Sequence, residues 1–172
     1  NEFRLAGEVG NLPFGWVKEW LAQDWPVEGR LTATLDLNGY LDRPAGSVDF
    51  RIDEPMVAFI PFNLAEGRFV LGEDVIVIEA LKVARESGEI TAQGRVGLHG
   101  KPITLDAEGN NLDLRWVYDA GLVNQEMSGP ISMKAQLRGT VEAPLLEAEA
   151  STPSVSVRGI ETGAVKATFS AD

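Results

Sequence analysis

Gly29-Arg-Leu-Thr-Ala-Thr-Leu-Asp-Leu-Asn-Gly39-Tyr-Leu-Asp-Arg-Pro44 decides the fold, because it returns as Gly129-Pro-Ile-Ser-Met-Lys-Ala-Gln-Leu-Arg-Gly139-Thr-Val-Glu-Ala-Pro144. In the first copy Leu31, Ala33, Leu35 and Leu37 alternate with polar residues, the two-residue period of a strand with one face out of water. Ile131, Met133, Ala135 and Leu137 keep the same phase in the second. Outward from this frame the chain matches itself at an offset of 100, with Leu5/Leu105, Glu8/Glu108, Asn11/Asn111, Leu12/Leu112, Trp16/Trp116 and Val17/Val117 identical. Such self-similarity marks tandem units. Beyond Pro44 the match is read with trimmed loops, Pro55/Pro153 and Val57/Val155 at an offset of 98 and Gly67/Gly163 at 96. The expected organisation is one elongated β domain over residues 1–172, with unit one at about 1–100 and a partial unit two at about 101–172.

The same alternation runs through Val48–Ile52, Ile90–Val96, Ile103–Ala107 and Val165–Phe169, separated by turn residues such as Asp42-Arg43-Pro44, Ser87-Gly88 and His99-Gly-Lys-Pro102. Short turns between such strands predict antiparallel hairpins in a long meander. Helix is expected once per unit, over Phe14–Gln23 and Leu114–Val123, where Trp16, Val17, Trp20 and Leu21 fall at helical spacing. The bland reading of that stripe is a plug that seats the helix on the sheet.

Charge and composition exclude several classes. Asp and Glu outnumber Lys and Arg by 26 to 15, a formal charge of -11 that phosphate backbones and anionic surfaces repel. Cysteine is absent, which removes disulfides, thiolate metal sites and cysteine nucleophiles. The single histidine, His99, lies in a turn and receives no role. Nucleophile-elbow and phosphate-loop motifs are missing, and the acidic neighbours Asp53-Glu54 and Glu73-Asp74 match no cation-binding loop. The expectation is a protein without catalytic residues, cofactor or metal. A start without an initiator methionine or basic leader reads as a piece of something longer.

One apolar face must be covered by a second sheet, by closure, by a helix or by a ligand. A closed β-sandwich or solenoid, structural or adhesive, satisfies the alternation, and so does an open stack of units with a hydrophobic groove. The groove candidates are the in-phase apolar positions Leu31, Leu35, Leu37, Val48, Phe50, Ile52, Val57, Phe59, Ile90, Val96, Ile131, Met133, Leu137, Val155 and Val157.

The Gly-x9-Gly-x4-Pro frame, Asn11-Leu12 with Trp16-Val17, and Gly88-Glu-Ile-Thr-Ala-Gln-Gly-Arg-Val96 resemble the repeats of the TamB family near its C-terminal conserved domain, with AsmA-type proteins as relatives. That resemblance implies an elongated curled antiparallel sheet, a β-taco with an open apolar groove. It further implies a periplasmic part of a protein anchored in the inner membrane by a helix outside this chain. The implied partner is an outer-membrane barrel of the TamA or BamA type. The implied work is autotransporter and outer-membrane protein assembly and phospholipid transport between the membranes, with phospholipid or unfolded outer-membrane protein as cargo.

Overall fold

A computed structural model describes residues 2–15, 27–40, 43–57, 60–119 and 124–171. Within them the chain is almost entirely strand. The elements are β1 (Glu2–Pro13), β2 (Val27–Tyr40), β3 (Arg43–Val57), β4 (Ile60–Pro61), β5 (Leu64–Gly72), β6 (Val75–Arg85), β7 (Gly88–Gly97) and β8 (Ile103–Asp113). There follow a five-residue helix α1 (Arg115–Asp119), β9 (Met127–Ser128), β10 (Pro130–Gly139), β11 (Pro144–Thr152), β12 (Val155–Val157), β13 (Ile160–Thr162) and β14 (Val165–Ala171). The main sheet runs β1-β2-β3-β5-β6-β7-β8-β10-β11-β14, with β4 paired on β3, and a small sheet orders β13-β12-β9. All pairings are antiparallel, and the curled main sheet does not close into a barrel.

The pairing register keeps the offset of 100 without a gap. Ala33 faces Phe50 as Met133 faces Ala150, and Leu35 faces Val48 as Ala135 faces Ala148. The agreement continues past Pro44, where trimmed loops were expected. Val27 pairs with Val57 as Met127 pairs with Val157, and Val57 with Ile60 as Val157 with Ile160. Val48 opposes Phe69 as Ala148 opposes Phe169. Pro55 and Val57 therefore correspond to Val155 and Val157, and Gly67 to Ala167, correcting the offsets of 98 and 96. The Pro and Gly matches that suggested a slip are coincidences of turn-rich composition.

Two of the shared pairs have a clear backbone task. Asn11 and Asn111 are left-handed, at φ 56° and 51°, a region Asn tolerates better than most residues. Both sit in β-bulges, between Val9 and Leu12 in β1 and between Gly109 and Leu112 in β8. The extra residue returns Leu12 and Leu112 to the apolar face. Gly39 and Gly139, at φ 109° and 89°, close the hairpins opposite Pro44 and Pro144. A Cβ at Gly139 would overlap the Ala143 carbonyl oxygen.

The small sheet is a severed end of the second unit. In unit one Arg30 pairs with Asp53, holding β2 and β3 together to Val57. The equivalent positions in unit two are Pro130 and Pro153, and neither has an N–H to donate. The ladder stops at Ser132–Ser151 and resumes as β9–β12 at Ser128–Ser156. Of the two expected helices, α1 covers residues 115–119, and Phe14 and Gly15 are helical; 16–23 and 120–123 lie outside the described residues.

Replacing Gly139 by Ala is expected to cost about 1–2 kcal/mol, because an L-residue is strained at positive φ and its Cβ has no room. Gly163→Ala, where the added Cβ meets nothing within 4 Å, is expected to change stability by less than about 0.5 kcal/mol. Urea unfolding of the two variants checks the contrast.

Candidate functional site: one uncovered apolar face

Directly paired residues in neighbouring strands share a face, so the register assigns every side chain of the main sheet to one side. One side collects Phe3, Leu5 and Val9; Leu31, Leu35 and Leu37; Val48, Phe50 and Ile52; Phe69 and Leu71. It continues with Ile76, Ile78, Leu81 and Val83, then Ile90 and Val96, then Ile103, Leu105 and Leu112. Ile131, Met133 and Leu137, Leu146, Val165 and Phe169 complete it. Among the paired positions the charged residue in phase with these is Arg85, opposite Gly88 at the end of β6.

The opposite side carries the charges, arranged as cross-strand pairs. Arg68 meets Asp49 at 3.2 Å and Glu79 at 3.0 Å, and Lys82 meets Glu89 at 2.8 Å. Lys134 meets Glu108 at 3.1 Å and Arg138 meets Asp106 at 2.7 Å. These pairs are exposed, so each contributes at most about 1 kcal/mol. A shallow hollow of about 640 Å³ over β5–β8 collects Glu66, Glu79, Asp106 and Glu108, yet each of these carboxylates already has a cationic partner. Among the described residues no group of three or more His, Asp or Glu is placed to hold a metal.

His99 sits in the β7–β8 turn with Nδ1 at 3.2 Å from Asp74, and Lys101 reaches the same carboxylate at 2.8 Å. The Lys101 hydrogen bond, aided by its charge and by His99, holds the Asp74 carboxyl below its ordinary value. This cluster ties two neighbouring hairpin ends together. Sequence had given His99 no partner, because the Asp74 turn lies 25 residues away and only the fold brings it close.

Among the described residues the apolar side is covered at one end, where Trp116 of α1 lines a hollow with Ile90 and Leu112. Among the described residues the strands pack on their hydrogen-bonded neighbours, α1 touches β9, and no other pair of elements makes more than marginal contact. Leu81, Ile78, Val83, Ile90 and Leu105, in the middle of the sheet, are only half-buried. Buried apolar side chains gather mainly toward the end where Phe14, Ile52, Pro55, Leu112, Leu114 and Val155 lie. The accessible surface of 11332 Å² exceeds the roughly 8,200 Å² typical of a compact monomer of this mass. A sandwich, with two apolar faces in contact, is therefore not what this chain builds.

Of the predicted groove positions, Leu31, Leu35, Leu37, Val48, Phe50, Ile52, Ile90, Val96, Ile131, Met133 and Leu137 lie together on this face. Val57 ends β3 against Val27 and Ile60, and Phe59 lies outside the described residues. Val155 and Val157 belong to β12 in the small sheet, beyond the proline break, and so stand apart from the others. The list missed Phe69, Leu71, Ile76, Ile78, Leu81 and Val83. Val75–Ile78 is a continuous apolar run whose phase cannot be read, and the bulge at Glu79–Ala80 resets it before Leu81.

The family model of the TamB C-terminal domain matches residues 78–171, more than half of the chain. The chain belongs to the TamB family. Comparison with curated proteins and with solved structures gave no match. Membership associates the chain with the translocation and assembly module and with outer-membrane assembly, in which TamB proteins work with TamA-type partners. In this TamB region the feature without a structural partner is the apolar face itself.

An uncovered face makes large side chains cheap to lose. Leu81→Ala is expected to cost about 1 kcal/mol, against about 3 kcal/mol for Ile52→Ala, whose side chain is 6% exposed. Chemical unfolding of both variants measures the difference.

Proposed function

We propose that this TamB region shields apolar cargo along the uncovered face of its sheet, as part of a periplasmic bridge anchored in the inner membrane. The observation that carries the reading is a one-layer sheet, ten strands across among the described residues, whose mid-sheet apolar positions Ile78, Leu81, Val83, Ile90 and Leu105 stay half-exposed. At about 4.8 Å per strand, β1 and β14 stand about 43 Å apart along the sheet. An acyl chain, which spans about 15 Å of a bilayer leaflet, fits well within it.

The physics needs no catalytic group. Each methylene that leaves water for the face gains about 0.8 kcal/mol, while a head group stays in solvent. The cargo favoured by this chemistry is phospholipid moving between the two membranes, and the same face serves apolar stretches of an unfolded outer-membrane protein or autotransporter. An outer-membrane barrel of the TamA or BamA type is the proposed receiving partner. In this reading the chain is not an enzyme; the charged face stays in water and keeps the sheet from associating through its outside.

Asp substituted at both Leu35 and Leu37 places two charges on adjacent apolar positions of β2. The doubly substituted chain is expected to keep its β-type circular dichroism and to bind a fluorescent phospholipid at least tenfold more weakly. Unchanged lipid binding by a folded variant would remove the proposal.

A further inference from the structure

Trp116 is half-buried, its indole Nε1 is buried, and among the described residues no acceptor reaches that N–H. Buried donors in folded proteins are nearly always paired, so this one calls for an explanation. The indole lines a hollow of about 60 Å³ at the rim of the apolar face, beside Ile90 and Leu112 of that face. Arg85, in the last pair of β6 with β7, and Arg115, the first residue of α1, line the same hollow. Arg85 is half-buried and in phase with the apolar side, whereas Arg115 is exposed.

An indole and a guanidinium donate hydrogen bonds and accept none, so a group that enters between them has to be an acceptor. Two carboxylates also border the hollow, Glu86 and Asp113, and both residues are exposed. Asp113 Oδ1 already accepts from the Arg115 amide at 2.9 Å and from the Gly129 amide at 3.3 Å. The half-buried part of the hollow therefore presents donors, and its exposed part carries the balancing acids. The opposite rim differs: there Arg43 is paired with Glu73 at 2.9 Å and Lys101 with Asp74 at 2.8 Å, all of them exposed.

We infer that the hollow receives the phosphate of a phospholipid, one oxygen accepting from Trp116 Nε1 while Arg85 and Arg115 face its charge. The inference rests on the apolar face carrying acyl chains, as proposed above, and adds where along that face the head group lies. Hydrogen bonds to a charged oxygen are stronger than neutral ones, and Ile90 and Leu112 lead from the hollow onto the face for the chains. Glu86 and Asp113 disfavour a head group of net negative charge and favour one with an ammonium beside its phosphate.

The test follows the indole N–H signals of the isotope-labelled whole chain, with that of Trp116 assigned by Trp116→Phe, together with the methyl signals of Leu81 and Ile90. Dihexanoylphosphatidylcholine, decyltrimethylammonium and inorganic phosphate are added separately, the amphiphiles below the concentrations at which they form micelles. The phosphatidylcholine is expected to move the methyls and to shift the Trp116 N–H downfield. Decyltrimethylammonium, which has no acceptor, is expected to move the methyls alone, and inorganic phosphate to move neither. Benzothienylalanine in place of Trp116, the same shape with sulfur for the N–H, is expected to weaken phosphatidylcholine binding about tenfold and to leave decyltrimethylammonium binding unchanged. Methyls moved by the phosphatidylcholine with an unmoved indole signal would overturn the inference and leave the apolar-face reading standing. Methyls unmoved by either amphiphile would overturn that reading and this inference with it. An indole shift as large with inorganic phosphate alone would make the hollow a free-anion site, and one as large with decyltrimethylammonium would make the shift a packing effect; either result overturns the assignment to a lipid phosphate.

Discussion

Everything in this structure depends on one constraint, the antiparallel register, bulges included, that sets equivalent pairs of the two units at an offset of 100. A one-residue slip in any strand would turn its apolar set into the charged face. The devices that hold the register are the ones the two units share. Asn11 and Asn111 add the bulge residue that restores Leu12 and Leu112 to phase, and Gly39 and Gly139 set the hairpins. Ion pairs such as Lys134–Glu108 and Arg138–Asp106 agree with that phase from the other side, though each contributes little alone.

A single layer built this way trades core burial for surface. Compact domains gain stability by covering each sheet face, and this chain leaves most of one face to solvent, with buried apolar side chains collected largely where Phe14, Ile52, Leu112 and Val155 lie. Hydrogen-bonded neighbours, packing side by side, then carry most of the stabilisation. The consequence for a TamB protein is a surface that is apolar, continuous and accessible, in place of a small enclosed pocket. Where the second unit needs to part from the plan, two prolines suffice: Pro130 and Pro153 detach β9, β12 and β13 into their own sheet without disturbing the register on either side.

Much of this was legible in the sequence, and the rest was not for physical reasons. β2 and β10 alternate cleanly because one face is wet, so Leu31, Leu35, Leu37 and their partners could be placed on one side. In β5 and β6 the run Phe69–Leu71 and Val75–Ile78 is apolar on both sides, so periodicity gives no phase, and the Glu79 bulge conceals it further. Beyond Pro44 the repeat survives as pairing geometry with few identities, Val57/Val157, Ile60/Ile160 and Phe69/Phe169 among them, which is why short chance matches suggested a slip. Openness came from the family resemblance alone, since alternation is the same whether a second sheet covers the face or nothing does.

The absence of cysteine makes openness directly measurable. Single cysteines placed at Leu81, Ile90 and Leu105 on the apolar face, and at Thr91 and Thr104 on the charged face, can be timed in their reaction with a small water-soluble thiol reagent under native conditions. An uncovered one-layer sheet predicts rates on the two faces within about tenfold of each other, with the apolar-face sites slowed selectively when phospholipid is added. Apolar-face cysteines that react only as fast as the whole chain unfolds would contradict it, because that protection requires a covered core.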